Sequence, residues 1–176
     1  MKSLQPLWLP ILAMTVVIVA SNILVKVPIN ELWTWGAFTF PFAFLITDLT
    51  NRFHGASSAR KVVFAGFGIG VVASLVFADP RIAVASGVAF LTAQLVDVSI
   101  FNKLRNKDWW IAPFTSSVLS NILDTWLFFF LAFVATGASW YGWAVGDLMV
   151  KWAVSLLALL PYGIIVLKNR ANPASA

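Results

Sequence analysis

Four aspartates and a lysine stand among apolar neighbours in this chain, and their spacing groups them. Gln94 and Asp97 lie three residues apart in "TAQLVDVSIF". Asn121 and Asp124 repeat that spacing in "SNILDTWLFFF". Asp147 and Lys151 lie four apart in "GDLMVKWAVSLL". On a helix, spacings of three and four put two side chains on one face. Two segments therefore present an amide beside a carboxylate, and a third presents an ammonium with a counter-ion. Asp48, in "FLITDLT", adds a further acid, and Asn22, in "ASNIL", a further amide.

A carboxylate offers only acceptors, whereas a side-chain amide offers one acceptor and two donors. Asp48, Asp97 and Asp124 against the one interior base, Lys151, favour a ligand rich in N–H groups. An ionised carboxylate accepts two parallel N–H bonds, a fork that fits the N1–H and amino edge of a guanine-like base. Asn22, Gln94 or Asn121 could satisfy a ring carbonyl and ring nitrogens. Trp35, Phe38 or Trp126 could stack on a flat ring. The chemistry indicates a planar, donor-rich solute, neutral or weakly cationic. It leaves guanine-like bases, amidines, biogenic amines and protons all open.

Each residue also has a plainer reading. Asn22 and Asn121 could be hydrogen-bonding glue between helices. Asp48 could pair with Arg52 at i+4, and Asp97 with Lys103 or Arg105. Lys151 could only neutralise Asp147. His54, in "NRFHGASS", reads as a surface residue.

The elements that position these groups follow from hydrophobicity. The chain has 176 residues, 60% of them hydrophobic and 11% charged. Soluble domains are about 45–50% apolar and about 25% charged, and here the excess runs from Leu7 to Leu167. A spanning helix takes about 20 mostly apolar residues. Six segments fit: 7–27, 34–50, 62–78, 82–101, 111–136 and 146–167. The expected fold class is an all-α membrane protein, one transmembrane domain over residues 1–176, with six transmembrane helices. Pro41 should kink the second segment, and Pro80 should end the joint between the third and fourth. The G-x-x-x-G pair Gly66 and Gly70 suggests close helix packing and a homodimer seam. Trp8, Trp109, Trp110, Trp140 and Trp143 fall near segment ends, where aromatic belts form.

Lys2, Arg52, Arg60, Lys61, Lys103, Arg105, Lys107, Lys168 and Arg170 fall on one side of this topology, and Lys26 and Arg81 on the other. Positive charge collects on the cytoplasmic face, so both termini are expected there. The net charge of +5 is spread over short joints, which suits anionic lipid and not a nucleic-acid groove. With no cysteine, disulfides and thiolate chemistry are excluded. The longest loops, near Asn51–Lys61 and Asn102–Trp110, are expected at about ten residues, which leaves no room for an ATPase. H-E-x-x-H and G-x-S-x-G are missing and there is one histidine, so neither metal hydrolysis nor a Ser-His triad is expected. No enzyme activity and no cofactor or metal are expected.

The stretches "TWGAFTFPFAFLITDLTNRFHGASSAR", "QLVDVSIFNKLRNKDWWIAP" and "SNILDTWLFFFLAF" together resemble the queuosine-precursor transporter family, also called vitamin-uptake-transporter-like. The likeness runs from about Ser21 to Tyr162. It implies six helices, a fold similar to the substrate-binding components of energy-coupling-factor transporters, and uptake of 7-cyano-7-deazaguanine or a related 7-deazapurine for tRNA modification through the bacterial inner membrane, without an ATPase. Its pattern falls on Asn22, Trp35, Asp48, Gln94, Asp97, Asn121, Asp124 and Lys151, with Phe38 beside them as a stacking residue. The rival expectation is a binding component that needs separate coupling and ATPase chains.

Overall fold

A computed structural model of the protein describes residues 6–25, 27–29, 33–77 and 79–171. It is helical throughout: α1 Trp8–Leu24, α2 Trp35–Thr39, α3 Pro41–His54, α4 Ala56–Phe77, α5 Pro80–Leu104, α6 Ile111–Phe133 with a 3-10 turn at Val134–Thr136, and α7 Tyr141–Ala171. Lys2 and Lys26, which carry part of the charge asymmetry, lie outside the described residues, as does the side chain of Arg170.

The six expected spans each find a helical counterpart, but not six alike. Helices α4, α5, α6 and α7 are long and apolar enough to cross a membrane. α1 is apolar but has 17 residues, about 25 Å at 1.5 Å per residue. The second span is broken in two. α2 ends at Thr39, and Pro41 opens α3 as its first residue, because proline has no N–H to continue a helix. Pro80 likewise opens α5, where Asp79 caps the start by accepting from the Arg81 N–H at 2.9 Å.

The expected ten-residue loop at Asn51–Lys61 does not exist. α3 and α4 are separated by Gly55 alone, which adopts φ +85°. Only glycine enters that region without penalty, so the chain turns in one residue while the charged side chains around it stay helical. The joint from Arg105 to Trp110 is six residues long, shorter than expected.

Packing centres on α5, which lies against α3, α4 and α6, most extensively against α6. Met14 and Ile18 of α1 sit in one core with Val62, Val63, Phe90 and Val98. The G-x-x-x-G face is used inside the chain. A Cβ on Gly66 would lie 2.6 Å from Met14 Cγ, and one on Gly70 3.4 Å from Ile18. The seam joins α4 to α1 within the chain. Gly36 similarly lets α2 approach the end of α1, since its Cβ would stand 2.9 Å from the Val25 backbone. At the other end, Arg52 donates to Tyr162 Oη at 3.0 Å and to the Arg105 carbonyl at 2.6 Å. That arginine ties α3 to α5 and α7 and is not the partner of Asp48. The tryptophans only partly form a belt: Trp8 and Trp110 are exposed, whereas Trp140 is buried.

Candidate functional site

α6 and α7 bring Asp124, Asp147 and Lys151 into one cluster. Lys151 Nζ lies 2.9 Å from Asp124 Oδ2 and 2.6 Å from Asp147 Oδ2. It also donates to Thr125 Oγ1 at 3.1 Å, and Thr125 donates in turn to Asp147 Oδ2 at 3.0 Å. The ammonium stands 5.1 Å from the centre of the Phe40 ring, within cation–π range. Lys151 and Asp124 are both buried. An isolated charge there would be costly, and the pairing is what makes both tolerable. The i+4 spacing of Asp147 and Lys151 sets half of this cluster; the packing of α6 on α7 sets the other half.

The cluster forms part of the wall of a cavity of about 600 Å³, within the usual range for small-molecule sites. Asn22 and Ser74 line it on one side, and Phe40, Phe128 and Trp143 supply flat apolar surface. The lining includes Pro28, Asp79 and Phe133, so the cavity sits at the end of the bundle that holds the α1–α2, α4–α5 and α6–α7 connections. Asn22 is already engaged: its Nδ2 donates to the Ile18 carbonyl at 2.9 Å and its Oδ1 accepts from Ser74 at 3.2 Å.

The expected site residues thus divide. Asn22, Asp124 and Lys151 line the cavity. Trp35 is about half exposed, and Phe38 packs beside Trp33 against Val150 and Val154; neither lines it. Asn121 is buried, is not among the lining residues, and donates to Ser155 at 2.9 Å. Asp48, Gln94 and Asp97 form a separate interior group. Thr47 donates to Gln94 Oε1 at 2.7 Å, and Ser116 to Asp48 Oδ1 at 3.4 Å. Neither Arg52, Lys103 nor Arg105 reaches Asp48 or Asp97: among the described residues, both salt bridges belong to Lys151. No set of three metal-ligating side chains occurs among them either.

Three participants escaped the sequence reading. Asp147 counted there only as a counter-ion, and Phe40 only as part of an apolar run. The third is a buried polar line on α6, with Ser116, Ser120 and Asp124 at four-residue intervals and Ser117, Asn121 and Thr125 beside them. The signal was present in "TSSVLSNILDT", hidden by the small size of serine.

The family described as "Putative vitamin uptake transporter" matches residues 34–79 and 74–166. The chain is 37% identical to the queuosine precursor transporter of Escherichia coli, covering 85% of this chain and 81% of that protein. It is 34% identical to a probable queuosine precursor transporter of Haemophilus influenzae, over 76% of this chain and 68% of the relative. A Bacillus subtilis protein of the same description is 26% identical, over 79% and 73%. No solved structure matches the chain.

Proposed function

Because the chain belongs to the queuosine precursor transporter family, and is therefore a multi-pass membrane transporter, we propose that it imports 7-cyano-7-deazaguanine or a related 7-deazapurine across the bacterial inner membrane, for tRNA modification. One observation carries the reading: Lys151 engages one oxygen of each neighbouring acid, Asp124 Oδ2 and Asp147 Oδ2. No hydrogen bond to the Oδ1 of either occurs within the described residues, and both residues line a cavity that also carries aromatic rings. Two fixed acceptors suit the ring N–H and amino group of a guanine-like edge, and Phe40 or Trp143 suits its face.

In this reading Asp124, Asp147 and Lys151 read the ligand edge. Asn22 holds the wall, and Asn121 ties α6 to α7 through Ser155. Trp35 and Phe38 belong to the rim of the α2 segment. The chain forms a single domain, resembling energy-coupling-factor binding components in architecture, with both termini cytoplasmic. The cavity then opens to the outer face, as an importer needs in its loading state. We take it to work without an ATPase partner. A homodimer, if one forms, would not use the Gly66–Gly70 seam.

Uptake of labelled base by a strain unable to make it tests the proposal. Asp124→Asn should lower uptake roughly tenfold or more, the scale of one hydrogen bond to a charged group. Unchanged uptake would remove Asp124 from the site. Uptake by the purified chain alone in liposomes separates this reading from a binding component that needs partner chains.

A further inference from the structure

The cavity leaves one interior cluster without a role. Asp48 of α3 and Asp97 of α5 are close neighbours inside the bundle, and Ser116 of α6 donates to Asp48 Oδ1 at 3.4 Å. Both acids are buried, Asp97 completely. Neither oxygen of Asp97 receives a well-formed hydrogen bond from a donor group. The surrounding charges are engaged elsewhere. On α3, Arg52 is turned to Tyr162 and Arg105. On α6 and α7, Asp124, Asp147 and Lys151 hold one another. Lys103 on α5, and Arg60 and Lys61 on α4, are exposed; His54 on α3 is half-buried.

Two neighbouring buried carboxylates with no salt bridge to a cation among the described residues repel strongly. A single proton on the line between them turns repulsion into a hydrogen bond.

A second, separate observation points the same way. The α6 polar line runs from Ser116, which touches the pair, to Asp124, which lines the cavity. The distance is about 12 Å at 1.5 Å per residue. Along it Ser120 Oγ and Asn121 Oδ1 are buried without a partner, and so is Gln94 Nε2, one turn before Asp97 on α5. Buried polar groups are normally satisfied. Unfilled donors and acceptors between a cavity and an acid pair are the surroundings a proton-carrying water needs.

We propose that Asp48 and Asp97 form a proton site, separate from the ligand cavity, that couples import to inward proton movement along the α6 polar line. The proton binds one carboxyl oxygen from the cavity side and leaves toward the opposite end of the bundle; no other bond changes. This rests on the import reading above.

The test uses the full chain in liposomes with labelled 7-cyano-7-deazaguanine as probe. Wild-type protein should concentrate the base when the outside is acid, roughly tenfold per pH unit for one proton per neutral substrate. A sodium gradient should do nothing. Asp97→Asn and Asp48→Asn should abolish concentration while keeping exchange of internal for external base. Wild-type exchange without a pH response, accumulation that follows sodium, or an Asp97→Asn protein that still concentrates the base overturns the proposal. Loss of exchange in both variants overturns it too, since the pair would then belong to substrate handling. Absence of wild-type exchange is a different result and sinks the import reading itself.

Discussion

Lys151 is the residue on which the cavity's electrostatics turn. Among the described residues it alone offsets Asp124 and Asp147, so the two sides of the cluster are not equivalent. Lys151→Met would leave two acids facing one another, and removing one partner of a buried pair costs about 3–5 kcal/mol. Asp124→Asn leaves Lys151 with Asp147 and should cost clearly less. Thermal unfolding of the purified variants in detergent measures the difference; equal losses would contradict a shared cluster. The lining also includes Asp79, so among the described lining residues three acids oppose one base. The cationic aminomethyl relative of the nitrile base is therefore expected to compete for uptake at least as well as the nitrile itself, checked by competition with labelled nitrile base. That these residues are interior was legible in the sequence, because an ionisable group in an apolar run has few other places to go. Which of them meet was not legible. Helical spacing fixes the face on which Asp97 sits, but only the packing of α5 on α3 decides that this face meets Asp48 and not the cavity.

Among the elements, the sharpest dependence lies where a missing side chain admits a neighbour. Gly163 of α7 faces the Trp109 ring, and a Cβ there would lie 2.7 Å from it. Gly163→Ala should destabilise by about 1–3 kcal/mol through overpacking, and Trp109→Leu should restore much of the loss. A double-mutant cycle in thermal unfolding tests this; additive losses would break the link. The helix boundary was legible at Pro80, where covalent structure dictates it; at Pro41 only a kink was legible, where the structure has a full break. The boundary at Gly55 was not legible. The charges of Arg52, Arg60 and Lys61 suggested a loop, whereas one glycine at positive φ suffices to reverse the chain and leaves those charges on helices. The Gly66–Gly70 face was legible as a contact, but its partner, α1, was a matter of packing.

For the whole molecule, the cavity at one end and the acid pair toward the other give the bundle a polarity that can be read chemically. The chain contains no cysteine, so single cysteines report without background. Ala83→Cys, on the cavity wall, should react in intact cells with a membrane-impermeant maleimide and be protected by the base. Lys103→Cys should react only after the cells are opened. The reverse pattern would invert the orientation. The Lys151–Asp124 contact joins residues 27 positions apart, on two different helices. During synthesis Asp124 therefore emerges well before the group that neutralises it. α6 alone is a poor segment to release into lipid, and α6 with α7 is an acceptable one. The two helices are thus expected to leave the insertion machinery as a hairpin, and a nascent chain that stops short of Lys151 should be cleared by membrane proteolysis.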